Sequence, residues 1–83
     1  MPYLDWLIAG SEFHTAECKN SFVTIRPANQ NEDCLIGFDN IVREAISNAH
    51  GEGYAVLPRR DWRRPGGHYA FASIYFTDGR QIS

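Results

Sequence analysis

The feature that most constrains this chain is the stretch between residues 39 and 76, where one amphipathic segment is followed by two apolar ones joined through a dense arginine loop. In the first segment Ile41, Val42, Ala45, Ile46 and Ala49 recur at helical spacing and form one stripe for burial. Asp39 is placed to offer an N-cap oxygen to the free N–H groups of a first turn. Gly51 is placed to take the left-handed conformation that ends a helix. The expected helix therefore covers residues 39–51. After it, residues 54–57 read as a strand ended by Pro58, and residues 68–77 as the longest strand. In that strand Tyr69, Phe71, Ser73 and Tyr75 point one way and Ala70, Ala72, Ile74 and Phe76 the other. Both faces are apolar, which is the pattern of a central strand, and Ile46 and Phe71 are both expected in the core. The alanines suggest a close approach of helix to sheet, with Ala45 and Ala49 facing Ala70 and Ala72. Asp78-Gly79 is a tight-turn signal, leaving residues 80–83 for no more than a stub of edge strand.

The earlier residues are less decided. Residues 1–10 fit a helix through Leu4, Leu7 and Ile8, and a strand through Leu4, Trp6 and Ile8. Residues 12–18 and 21–26 read as a hairpin across Lys19-Asn20, with Val23 and Ile25 turned to the core. Residues 27–33 are a polar loop. Residues 34–38 have two readings, a short strand beside 21–26 or an early helical turn. Leu35, Phe38, Val42, Ala45 and Ala49 share a helical face, but a glycine such as Gly37 costs about 1 kcal/mol inside a helix, and Asp39 is a ready cap, so the strand is favoured. The sum is an α+β fold, an antiparallel sheet of about four or five strands with one main helix packed on one face.

A chain of 83 residues has room for one compact domain, residues 1–83, and a hydrophobic fraction of 43% is enough for it to build a core. No apolar run approaches a membrane span, and the start lacks the basic and apolar regions of a signal peptide, so a cytoplasmic protein without membrane contact is expected, as a monomer or small homo-oligomer. Cys18 and Cys34 allow one bridge at most, which is no disulfide framework; both are expected as reduced, partly buried thiols.

The charge is unevenly spread. Arg59, Arg60, Arg63 and Arg64 accompany a single Asp61 within six residues, whereas the rest of the chain carries four basic and nine acidic side chains. Drawn out as an extended segment, the loop puts Arg60, Trp62 and Arg64 on one side and Arg59, Asp61 and Arg63 on the other. Guanidinium groups bind phosphate or carboxylate in bidentate fashion, and Trp and Arg are enriched at interface hot spots. Arg59, Arg60, Trp62, Arg63 and Arg64 are therefore the candidate partner-binding residues, with pairing to the acidic body as the plainer alternative. Glu32, Asp33, Asp39, Glu44 and Glu52 form a secondary acidic patch that could imitate a phosphate backbone, although ordinary capping and helix-dipole chemistry is the weightier account of such residues.

His14, His50 and His68 have no metal-ligand spacing with one another or with the cysteines, and His50 suits the end of the helix. His14 and Cys18 share a strand face but stand roughly 13 Å apart, too far for a nucleophile and its base. No phosphate loop, dinucleotide fingerprint or serine elbow occurs. No catalytic residue, metal or cofactor is expected, and the chain does not read as an enzyme.

Two functions remain. The favoured one is a small protein-binding inhibitor that occupies a surface on a larger protein or ribonucleoprotein complex. In length, charge and mixed architecture the chain resembles the compact inhibitors carried by phages against bacterial defence, the anti-CRISPR proteins. The resemblance implies a CRISPR effector complex as partner and a block of target DNA recognition, and it carries over no site. The alternative is a nucleic-acid-binding domain that reads phosphates with the arginine loop and stacks Trp62 on a base.

Overall fold

The longest element is helix α2, Glu32–Glu52. It begins seven residues earlier than its apolar stripe and its Asp39 cap suggested, so residues 34–38 are helical and not a strand. Burial explains the difference. Leu35 and Phe38 continue the stripe of Val42 and Ala45 and are buried with them. Each such side chain contributes about 1.5–3 kcal/mol, which outweighs the cost of Gly37. That glycine has its own use, because a Cβ at position 37 would stand 2.8 Å from the Phe13 ring. The helix also ends later than expected. Gly51 is helical, and Gly53 takes the left-handed conformation, donating its N–H to the Ala49 carbonyl at 2.9 Å.

The computed structural model describes residues 2–63 and 66–82. In chain order the other elements are α1 (Tyr3–Ala9), β1 (His14–Cys18), β2 (Val23–Pro27), β3 (Tyr54–Arg60) and β4 (Tyr69–Phe76). The ambiguous N-terminal segment is thus a helix, with Leu4 and Leu7 buried. The backbone N–H groups of Tyr3 and Leu4 donate to the two carboxylate oxygens of Glu52 at 2.9 and 3.0 Å. An anion at the free N–H groups of a first turn is favourable, and here it fastens α1 to the end of α2.

The four strands form one antiparallel sheet in the order β1-β2-β4-β3. β2 and β3 run the same way on either side of β4 and are joined by α2, a split βαβ unit. The expected hairpin is present, but its turn spans residues 19–22, closed by the Lys19 N–H on the Phe22 carbonyl at 2.8 Å. β3 runs through Pro58 instead of ending there. It is an edge strand, where a missing N–H can face solvent. The 68–77 strand is central, as its doubly apolar pattern required, and residues 80–82 add no strand.

Both helices cover one face of the sheet. The core there holds Leu4, Leu7, Val23, Ile25, Phe38, Val42, Ala45, Ala72 and Ile74. Tyr69 joins them against the alternation, because the register shifts between Arg59 and Arg60 and leaves Ala70 without a partner across the ladder. Two expected core residues lie elsewhere. Ile46 is 46% exposed on α2, and Phe71 is half-buried on the uncovered face. Cys34 is buried, with its thiol on the Phe13 carbonyl at 3.2 Å, whereas Cys18 is exposed instead of partly buried; both are free.

Candidate binding surface

The β3–β4 connection grows from the register shift. Arg60, the last residue of β3, lies on the core side of the shift, and its guanidinium donates to the Gly67 carbonyl at 2.8 Å and the Tyr69 hydroxyl at 3.0 Å. The same group lies 4.1 Å from the Tyr69 ring centroid and 5.7 Å from that of Trp62. Arg60 is therefore an internal brace of the loop. Trp62 is 78% exposed, yet it lies against Gly67, where a Cβ would stand 2.7 Å from the indole. Arg63 donates from its backbone N–H and from Nε to Asp61 Oδ1, at 3.1 and 3.0 Å. That hydrogen bond raises the pKa of the Arg63 guanidinium, which projects into solvent. Arg59 is exposed and pairs across the ladder with Phe71. Arg64, and the Pro65 that follows it, lie outside the described residues.

The loop is anchored to the helix layer by the residue that the sequence marks as a cap. Asp39 is buried within α2, accepting the Tyr69 backbone N–H on Oδ1 at 2.9 Å and standing 2.6 Å from His68 Nδ1 through Oδ2. An imidazole oriented by a carboxylate is the geometry of a general base. Among the described residues, however, Asp39 is the one hydrogen-bond partner of the His68 ring, and neither a serine hydroxyl nor a cysteine thiol reaches that ring. The pair ties strand to helix. Of the acidic residues singled out from the sequence, Glu32, Asp33 and Glu44 are exposed along α2, Asp39 is inside, and Glu52 holds the start of α1.

A second knot closes the α1–β1 connection. His14 Nε2 faces the Leu7 carbonyl at 2.9 Å and its Nδ1 lies 2.6 Å from Ser11 Oγ. A carbonyl can only accept, so Nε2 carries the proton and the Ser11 hydroxyl donates to Nδ1. Burial lowers the His14 pKa and so favours the neutral ring. The ring is enclosed by the fold, with Trp6 against it at 4.9 Å. No group of three or more His, Cys, Asp or Glu among the described residues is placed to hold a metal ion.

The surface that sequence reasoning missed is the uncovered face of the sheet. Phe71, Ser73 and Tyr75 of β4 face outward, with Leu57 and Arg59 of β3 paired beside Ser73 and Phe71. Thr24 pairs with Ser73 on the other side, with Arg26 two residues along β2 and Phe22 just before the strand. Phe22 and Tyr75 are each 37% exposed and Leu57 57%. With Ser73 and Arg80 they line a shallow groove of about 400 Å³. The signal is present in the alternation of residues 68–77, but two apolar faces in a sequence do not tell a strand buried on both sides from one left open on one. No protein-family model, curated protein or solved structure matches the chain. The surface must be interpreted from its own chemistry. It offers one braced, exposed indole at the loop and an aromatic, arginine-flanked sheet face. Among the described residues no helix is long and apolar enough to cross a membrane.

Proposed function

We propose that this chain is a small, non-enzymatic binding protein that works by occupying a surface on a larger protein or ribonucleoprotein complex. The observation that carries the reading is Trp62, 78% exposed on a loop that is nonetheless fixed by Arg60, Asp61, Gly67 and the Asp39–His68 pair. An exposed indole held in place before binding loses little freedom when it docks, and Trp beside Arg is the composition of interface hot spots. Arg63, the next residue, projects into solvent and supplies charge for an acidic or phosphate-bearing rim. The resemblance in length, charge and architecture to anti-CRISPR inhibitors supports a CRISPR effector complex as the partner, with target DNA recognition blocked.

The test is capture of partners from bacterial lysate on the immobilised protein, with and without nuclease, repeated with Trp62→Ala. A nuclease-resistant partner whose affinity falls at least about tenfold in the variant is the expected result. For the specific partner, adding the protein to a CRISPR effector complex should lower its binding of labelled target DNA. Equal capture by Trp62→Ala removes the loop from the interface, and an effector complex that binds its target undisturbed removes that partner.

A further inference from the structure

We infer that the uncovered face of the sheet is a platform for single-stranded RNA, separate from the Trp62 loop. The argument begins with the order of side chains across the sheet. Arg59 is paired with Phe71 from the β3 side. On the β2 side the antiparallel register runs Val23 to Ile74, Thr24 to Ser73 and Ile25 to Ala72, so one step further Arg26 follows on the outward side towards Phe71. Phe71 thus has Arg59 across one ladder, and on its other side Arg26 follows the last β2–β4 pair, its guanidinium 3.7 Å from Glu17. Two residues along β4, Ser73 lies between Thr24 and Leu57. Two further, Tyr75 adjoins Phe22, and both line the groove. Phe71 and Tyr75 are four positions apart on one strand face, a span of roughly 13 Å.

This arrangement matches the chemistry of an unpaired RNA strand. Aromatic rings on the open side of a central strand, here the exposed Tyr75 and the half-buried Phe71, stack on splayed bases, and nearby arginines meet the phosphates that join them. Hydroxyl groups of Ser73 and Tyr75 on the same strand offer partners to the ribose 2′-hydroxyl, the group by which RNA is told from DNA. A duplex presents no base faces to such a sheet.

The net charge of −2 does not oppose this, because it averages two unlike layers. The exposed acids Glu32, Asp33 and Glu44 lie on α2, the helix layer on the opposite side of the sheet. Around the open face, Glu17 of the β1 edge stands 3.7 Å from Arg26 and 4.0 Å from Lys19, and Asp78 stands 2.7 Å from the groove-lining Arg80. The Arg59 side chain has no hydrogen bond or ion pair among the described residues. The same charges argue against a second copy of the chain as occupant, since a face-to-face pair would bring two arginine-flanked surfaces together.

Fluorescence anisotropy with a labelled oligouridylate of about fifteen nucleotides tests the inference, against oligothymidylate and a duplex of equal length. The oligouridylate should bind tightest. With about two phosphates neutralised, log K should fall against log salt with a slope near −1.4. Tyr75→Leu keeps the apolar bulk and removes the ring face, and should weaken binding about tenfold with unchanged circular dichroism. Arg59→Ala should weaken it and flatten the salt slope. Trp62→Ala should leave it unaltered, which separates this result from the fate of the loop reading. Failure of oligouridylate to bind at low salt overturns the inference. So does equal binding of thymidylate or duplex, or binding unaffected by Tyr75→Leu in a folded variant. A concentration-dependent dimer in sedimentation velocity that Tyr75→Leu abolishes, or a protein partner lost with the same variant, would assign the face to that occupant instead.

Discussion

Strand β4 presents two faces that differ in fate although they are similar in composition. Ala72 and Ile74 are fully buried beneath the helices, while Phe71 and Tyr75, one position away, look out from a face that no element covers. Nothing in the side chains themselves separates the two sets, since both are apolar and both alternate. What separates them is that the two helices among the described residues both lie on one side. An apolar face that has a helix to cover it becomes core, and one that has none becomes a surface for something else.

The comparison can be broken most directly with a charge on each face. Ile74→Asp should abolish folding, because an unpaired buried carboxylate costs several kcal/mol, a large part of the roughly 5–15 kcal/mol that holds a domain together. Tyr75→Asp, the next residue, should remain folded and soluble. Circular dichroism and urea titration of the two variants decide it, and two unfolded proteins would mean that the open face is structural.

A smaller effect tests the link between the layers. Asp39→Ala leaves the Tyr69 N–H without its acceptor and should cost about 1–3 kcal/mol, read from urea midpoints. Asp39→Asn should cost less, since its amide oxygen can still accept that N–H. If both variants match the parent, the loop is not anchored through this residue.

The helix side should also be the acid-sensitive one. His14 is held below its ordinary pKa of 6.5 by burial, so just below that pH the unfolded chain binds more protons than the folded one. Stability should be highest above this window and fall as pH drops through it towards the folded pKa. Urea midpoints at about pH 7.5 and 5.5 measure the slope, and His14→Gln should reduce it. A parent protein equally stable at both values would show that the buried ring does not govern this range.

The smallest effect is expected at Ile46, apolar but 46% exposed. Ile46→Asp should change stability by no more than about 0.5 kcal/mol, and a loss of several would place α2 in a different rotation on the sheet.

Much of the fold was legible because periodicity is a local signal. The stripe through Val42 and Ala45, the inward pair Val23 and Ile25, and the central position of residues 68–77 follow from spacing that any window of the chain contains. Local signals also misled, and for one reason. Gly37 and Asp39 look like a helix boundary when only neighbours in sequence are considered. Phe13 and the Tyr69 N–H, which give these two residues their roles, are 24 and 30 positions away. The arginine loop shows the same limit. Four like charges around one Trp marked the segment, but the division of labour between Arg60, turned inward as a brace, and Arg59, left on the open face, depends on a register shift that exists only once β3 and β4 are paired. The sequence by itself determined which segments are apolar, and with what period. Only the tertiary structure decided which apolar face the helices cover, because burial belongs to the whole assembly of elements and a strand carries no mark of the side on which its helices will lie.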